Sequence, residues 1–212
     1  MTDTAYAITA DPIAPADGWF IPEQRLCPPP PAQRGALFRT LSKASGWFGR
    51  SEIPDVFPLI NIHRGLFPAW LWFASRLMPF GKLPASIREL LILRTAWNCR
   101  SRYEWGQHVE VALSVGMTDA DILAATLSTP EQCSDPKVRA ALLSCDELCR
   151  NHYISEATWQ QLSHEFKPAY CMEIMMLVGH YQMLAGVINS AGLALEPAME
   201  AKLQAFYQRI SV

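Results

Sequence analysis

The stretch from Leu83 to Gly116 constrains this chain most, because it sets a carboxylate and an imidazole on what reads as the buried face of a helix. Ser101, Glu104, Trp105, His108, Val111, Ala112 and Val115 follow one another at helical spacing and form a single stripe. The stripe begins polar and ends apolar. Arg102, Gln107, Glu110 and Ser114 fall on other faces, where they are expected to meet water. Glu104 and His108 are four residues apart, so they are neighbours that can share a proton.

The segment before it adds a second carboxylate. Leu83-Pro84 starts a helix, since proline is tolerated in the first turn. Ala85, Glu89, Ile92, Leu93 and Ala96 then form an apolar stripe that only Glu89 interrupts, while Ile87, Leu90 and Leu91 make the other side apolar too. Such a helix is expected to be buried nearly all round, with Glu89 desolvated. A buried carboxylate must be paired with a basic group or have a raised pKa. Either state suits proton transfer.

These residues are open to plainer readings. Ser101-x-x-Glu104 fits a capping box, in which Glu104 reaches back to the Ser101 amide and needs no catalysis. A histidine on an apolar face is most often a core histidine whose hydrogen bonds are satisfied. Capping and acid–base chemistry are compatible, because a capped carboxylate is a well-positioned one. It is the conjunction of Glu89, Glu104 and His108 that favours a site.

The chain of 212 residues, half of them apolar, can bury one sizeable core. A formal charge of −2 without a basic stripe argues against nucleic acid or an anionic membrane as partner. The opening MTDTAYAITADP lacks the basic and apolar regions of a signal peptide, and no apolar run reaches about 18 residues, so a cytoplasmic protein is expected. The six cysteines (Cys27, Cys99, Cys133, Cys145, Cys149, Cys171) are then expected to be reduced. Cys145, Cys149 and His152 have the spacing C-x3-C-x2-H, yet they extend a core stripe of Val138, Ala141, Leu142 and Leu148. Free cysteine packs as a small hydrophobe, so neither a metal site nor a disulfide is expected there.

Residues 1–34 are proline-rich and end in Cys27-Pro28-Pro29-Pro30-Pro31, which reads as an extended arm made sticky by Trp19, Phe20 and Ile21. The arm is expected to pack on the body or on a neighbouring subunit. Residues 35–212 read as one helical domain. Helices are expected over Gly35 to Phe48, Pro68 to Met78, the central pair, Thr118 to Leu127, Asp135 to Arg150, Ser155 to Phe166, Pro168 to Ser190, and from Pro197 onward. Pro54 and Pro58 break the stretch around Ile53 to Phe57. No segment alternates as a strand does, so the class is all-α.

Pro168 to Ser190 is the most apolar segment, but Glu173, His180, Gln182 and Asn189 argue against a membrane span. His180 is read first as a core histidine bonded to a backbone group; the other reading has it complete a pocket with Glu89 and His108. His63 has no partner readable from the sequence.

RELLILRTAWNCRSRYEWGQHVEVALSVGMTDADI resembles the carboxymuconolactone decarboxylase family, related to the AhpD-type alkylhydroperoxidases, over about Phe57 to Thr126. Leu177 to Pro197 is similar to the C-terminal part of longer members. The resemblance implies an AhpD-like helical bundle that assembles as a homo-oligomer (dimer, trimer or hexamer) and acts on a small molecule. The aromatic helix around Trp70 and Trp72, or the arm, is the expected interface. The redox branch uses a glutamate followed by C-x-x-C-x-x-x-H; here Glu89 and His108 stand at the glutamate and histidine positions, while Ser101 and Glu104 replace both cysteines. That disfavours a hydroperoxide reductase of the AhpD kind.

The E-x-x-x-H arrangement instead resembles the decarboxylase branch, which implies a lyase of aromatic catabolism that needs no metal or organic cofactor. On that resemblance His108 donates the proton, Glu104 orients its imidazole, and Glu89 completes the relay. Arg88 or Arg94 holds a substrate carboxylate, with Tyr103, Ser101 and His180 as further substrate contacts. The arginines serve equally well to neutralise Glu89. A non-catalytic oligomeric binding or accessory protein, with Glu104 only a cap, is the alternative of a different class.

Overall fold

Proline and capping residues mark where most of the helices begin. In the computed structural model, which describes residues 11–21, 23–36, 38, 40 and 53–211, α1 spans Val56–Ile60, α2 Leu66–Leu77, α3 Ala85–Asn98 and α4 Arg102–Ser114. They are followed by α5 Asp119–Leu123, α6 Pro136–Asn151, α7 Glu156–Glu165, α8 Pro168–Ala191 and α9 Pro197–Ile210. No strand occurs among the described residues, and the all-α expectation is met. The helix expected over Gly35 to Phe48 lies largely outside the described residues.

The local signals act as expected. Thr118 and Asp121 form a reciprocal capping box, Asp135 accepts from the Lys137 and Val138 amides, and Ser155 accepts from that of Thr158. Pro136, Pro168 and Pro197 occupy first helical turns. The segment interrupted by Pro54 and Pro58 is nevertheless the short helix α1, because Pro58 sits in its first turn, where no intrahelical N–H bond is lost. His152 departs from the core stripe assigned to it: it ends α6 in the left-handed region and is exposed.

Helix α3 is the axis of the fold. It packs against α4, α6 and α8, and every residue from Ile87 to Ala96 is buried. Ile87, Leu91 and Ile92 face a core shared with α6, α7 and α8, whereas Leu90, Leu93 and Ala96 face a second core with Trp105, Leu142 and Phe206. A helix between two apolar bodies needs no polar face, which explains its nearly continuous hydrophobicity.

The proline-rich arm packs on the body. Trp19 is buried between Trp97 and Trp105, with ring centroids at 5.5 and 5.6 Å. Backbone bonds fasten the arm on both sides: Phe20 N donates to Arg100 O at 3.0 Å and Arg25 N to Ala191 O at 2.7 Å. The crossing demands Gly192, which ends α8 at φ 69° and whose Cβ, if present, would collide with the Glu23 carbonyl. Helix α8 alone among the described helices is long and apolar enough to cross a membrane, and half of its most apolar window is buried inside the protein.

Candidate active site

Helices α3 and α4 are joined by a three-residue turn in which Arg100 takes a left-handed φ of 53°. The turn folds the second helix back along the first. This brings together side chains nineteen residues apart: Glu89 Oε2 lies 2.7 Å from His108 Nδ1. Arg88 Nε donates to the other oxygen, Oε1, at 3.1 Å. Glu89 has no exposed surface, but each oxygen carries a charge-assisted hydrogen bond, which offsets the cost of burying it. Of the two states the sequence left open for Glu89, a basic partner or a raised pKa, the structure shows the partner, and the chain neighbour Arg88 supplies it.

This geometry corrects the assignment of Glu104. Both Glu104 oxygens are buried without a hydrogen-bond partner, so Glu104 does not orient His108; Glu89 does. Nor is there a capping box, since Ser101 occupies the N-cap without a side-chain cap bond and its hydroxyl is buried and unpartnered. Burial, reinforced by the nearby Cys99 thiol, pushes the Glu104 carboxyl well above the usual carboxylate range. The physical reason is side-chain direction. A long helical side chain leans toward the N-terminal turn, which carries the Glu104 carboxyl toward Cys99 and away from His108.

Three other assignments change as well. Arg94 is not available to a substrate, because it grips Asp146 through two bonds of 2.6 Å and donates to the carbonyls of Ala125 and Leu127. Tyr103 is a latch between elements: its hydroxyl donates to Glu196 at 2.6 Å and accepts from Val56 N at 3.2 Å. Arg102 and Gln107, expected in water, are buried, since Asp11 and Glu200 hold Arg102 while Glu196 accepts from Gln107. Arg88 retains terminal nitrogens without a hydrogen bond to any described residue, and it is the basic group beside the dyad that stays open to a ligand.

A row of aromatic rings that the sequence did not reveal leads away from His108. The edge of Tyr181 meets its ring at 5.2 Å, and Tyr181 in turn meets His180 at 5.3 Å. His180 stacks on Trp70 at 6.2 Å and meets Phe73 at 5.4 Å. It is not bonded to a backbone group as the core reading required; Nδ1 is buried without a partner, and burial lowers its pKa to about 4. His180 is therefore a neutral ring one aromatic side chain removed from the dyad. The second sequence reading of His180, which set it beside His108, pointed this way, but Tyr181 lies between the two histidines.

The side chains of Arg88 and His108 are 9% and 10% exposed, against 0% for Glu89, so of the dyad only His108 reaches the surface. A separate cleft of about 190 Å³, between the arm and α8, is lined by Arg102, Tyr103, Asn189 and Glu200. Its charged groups already neutralise one another, and it contains no member of the dyad. No group of histidines, cysteines and carboxylates suited to a metal ion occurs among the described residues.

Residues 65–147 match the model of the carboxymuconolactone decarboxylase family, the resemblance that the stretch from Arg88 to Ile122 carried. No protein of curated function matches the chain. Among solved structures, the debrominase Bmp8, as a cysteine-to-alanine variant in complex with 2,3,4-tribromopyrrole, is 13% identical with a TM-score of 0.72, covering 88% of this chain and 99% of its own. An AhpD-core, peroxidase-related protein from Ralstonia eutropha JMP134 is 18% identical with a TM-score of 0.73, covering 84% and 95%. A peroxidase-related protein from Silicibacter sp. TM1040 is 14% identical with a TM-score of 0.70, covering 86% and 97%. At such identities the likeness establishes the fold, which is AhpD-like.

Proposed function

We propose that this chain, whose residues 65–147 carry the carboxymuconolactone decarboxylase signature, is a cofactor-independent acid–base lyase that decarboxylates a small carboxylated lactone or a related product of aromatic ring cleavage. The observation that carries the reading is the Arg88–Glu89–His108 chain of charge-assisted bonds, with Glu89 fully buried at its centre and Arg88 and His108 each reaching a little of the surface. Glu89 accepts from Nδ1 and stabilises the imidazolium, which leaves Nε2–H as the acid. Arg88 offers donors to a carboxylate or to the oxyanion that forms from the lactone carbonyl.

The step balances without an external electron acceptor. The bond from ring carbon to carboxylate breaks, carbon dioxide leaves, and the electron pair moves onto the conjugated carbonyl. The proton of His108 Nε2 then passes to carbon, and water restores it. A thiol relay has less support, because the positions it would need hold Ser101 and Glu104.

The same reading includes self-association in the cytoplasm. On α8, Ala169, Met172, Met176, Gly179, Met183, Gly186 and Ser190 are all exposed, recur at alternating spacings of three and four, and include no charge. That is the period of a helix–helix seam. An antiparallel copy across a twofold axis level with Tyr181 would set Met172 against Ser190, Met176 against Gly186 and Met183 against Gly179. Each large side chain thus meets a small one, which favours a second copy of this chain as the occupant. Trp72, 64% exposed on α2, extends the apolar surface.

The test is a panel of carboxylated lactones and unsaturated acids offered to the purified protein, following carbon dioxide release and ultraviolet absorbance. Stoichiometric carbon dioxide from a lactone acid supports the reading. No turnover of any member would overturn it in favour of a non-catalytic oligomeric binder.

A further inference from the structure

The row of rings that leads away from His108 ends in two polar atoms with nothing to bond. His180 Nδ1 and Trp70 Nε1 are both buried, and neither has a hydrogen-bond partner. Their rings stack at 6.2 Å with 21° between the planes, so both orphaned nitrogens belong to one stack. His180 itself is only 6% exposed. A buried indole N–H normally finds an acceptor, and leaving a buried polar atom without a partner costs free energy. Two such atoms in one stack mark a place where a ligand supplies what the fold does not.

Neighbouring rings fix both members of the stack. Phe57 and Phe67 flank Trp70 with centroids at 5.6 and 6.0 Å, and Phe73 and Tyr181 meet His180 at 5.4 and 5.3 Å. Tyr181 is also the ring that meets His108, so the stack stands one aromatic side chain from the dyad. Trp70 and Phe73 on α2 are only partly buried, and the row therefore reaches the surface where α2 packs on α8.

The two atoms define what they can hold. Indole Nε1–H only donates, while Nδ1 of a neutral imidazole accepts in one tautomer and donates in the other. A hydroxyl satisfies the first arrangement, accepting from Trp70 and donating to His180; a carbonyl oxygen satisfies the second by accepting from both. A carboxylate is disfavoured, because the rings packed on the stack carry no charge to balance it and burial keeps His180 neutral. We propose that Trp70 and His180 form a subsite that recognises an uncharged oxygen, hydroxyl or carbonyl, on a substrate whose anionic group is held by Arg88. That substrate is a compact ring compound with a carboxylate at one end and an uncharged oxygen at the other. An analogue without the oxygen binds poorly, since it leaves both nitrogens unpaired. The inference rests on the reading of Arg88, Glu89 and His108 as a substrate site, and not on which bond is broken there.

Calorimetric titration of the full-length protein with matched acids tests binding apart from turnover. 4-Hydroxybenzoate, 4-hydroxyphenylacetate and 3-(4-hydroxyphenyl)propanoate, each against its 4-methyl counterpart, vary the distance between carboxylate and oxygen; 4-formylbenzoate tells a carbonyl from a hydroxyl. In at least one pair the oxygen-bearing acid should bind roughly 10- to 100-fold more tightly than the methyl acid. Trp70→Phe and His180→Phe, which keep the rings, should each erase that preference while leaving the methyl acid's affinity near that of the parent. Arg88→Met should instead weaken both members of a pair alike; unchanged affinity there would refute the substrate site on which the inference rests. Equal affinities within every pair in the parent protein, or no binding of any acid, would overturn the subsite even if a variant fails to fold, and so would a preference that survives both ring substitutions.

Discussion

Glu89 and His108, nineteen positions apart in sequence, meet at 2.7 Å between α3 and α4, while Glu104, one turn from His108, bonds to neither. Two buried carboxyl groups thus differ in their partners. One is held by two donors and the other has none.

Replacing each by leucine should therefore have opposite consequences. Glu89→Leu strips the partner from two buried basic groups and should cost about 3–5 kcal/mol in urea unfolding, the range for breaking a buried pair from one side. Glu104→Leu removes an unsatisfied polar group and should be neutral or stabilising by about 1–3 kcal/mol. Equal losses at the two positions would contradict the geometry.

The raised pKa of Glu104 also has a signature in pH. A carboxyl whose folded pKa lies above its unfolded value stabilises the fold fully below the unfolded pKa and loses that contribution as pH rises through the folded one. Unfolding free energy should fall above about pH 4.5 with a component of at most about 1.4 kcal/mol per pH unit. Glu104→Leu should remove that component, as a series of urea titrations between pH 4 and 8 would reveal.

His180 works in the other direction. Its pKa falls from 6.5 to about 4, so its neutral form contributes stability above pH 6.5 that is lost as pH falls toward 4. The full contribution is about 3 kcal/mol, because a tenfold change in proton affinity is worth about 1.4 kcal/mol. His180→Phe, which keeps the stack on Trp70, should flatten the acid limb of the stability curve. An unchanged limb would show that the ring is more open to water than its 6% exposure indicates.

Gly179 tests the seam on α8. A Cβ there meets no atom within 4 Å, so Gly179→Glu should fold as the parent does, with slightly better helix propensity. A buried charge at the twofold contact should nevertheless abolish association in light scattering. An oligomer that survives the substitution would place the interface elsewhere.

The limits of the sequence reading follow from separation along the chain. Caps at Thr118, Asp135 and Ser155 were legible because their partners lie within three residues. The burial of α3 was legible from its lack of a polar face, and with it the desolvation of Glu89. The identity of the carboxylate facing His108 was not. Spacing of four nominated Glu104, but the carboxyl that faces the imidazole is the one already paired with Arg88, while Glu104 leans toward Cys99. Arg102 and Gln107 were misplaced in solvent because Asp11, Glu196 and Glu200, which bury them, lie about ninety positions away.

The most direct measurement of the central claim is the turnover of a carboxylated lactone accepted by the parent protein, compared with that of His108→Ala under the same conditions, with circular dichroism confirming that the helices persist. If His108 delivers the proton held ready by Glu89, kcat should fall by roughly 10²–10⁴-fold, the usual contribution of a general acid. Unchanged turnover by a folded His108→Ala protein would contradict the assignment.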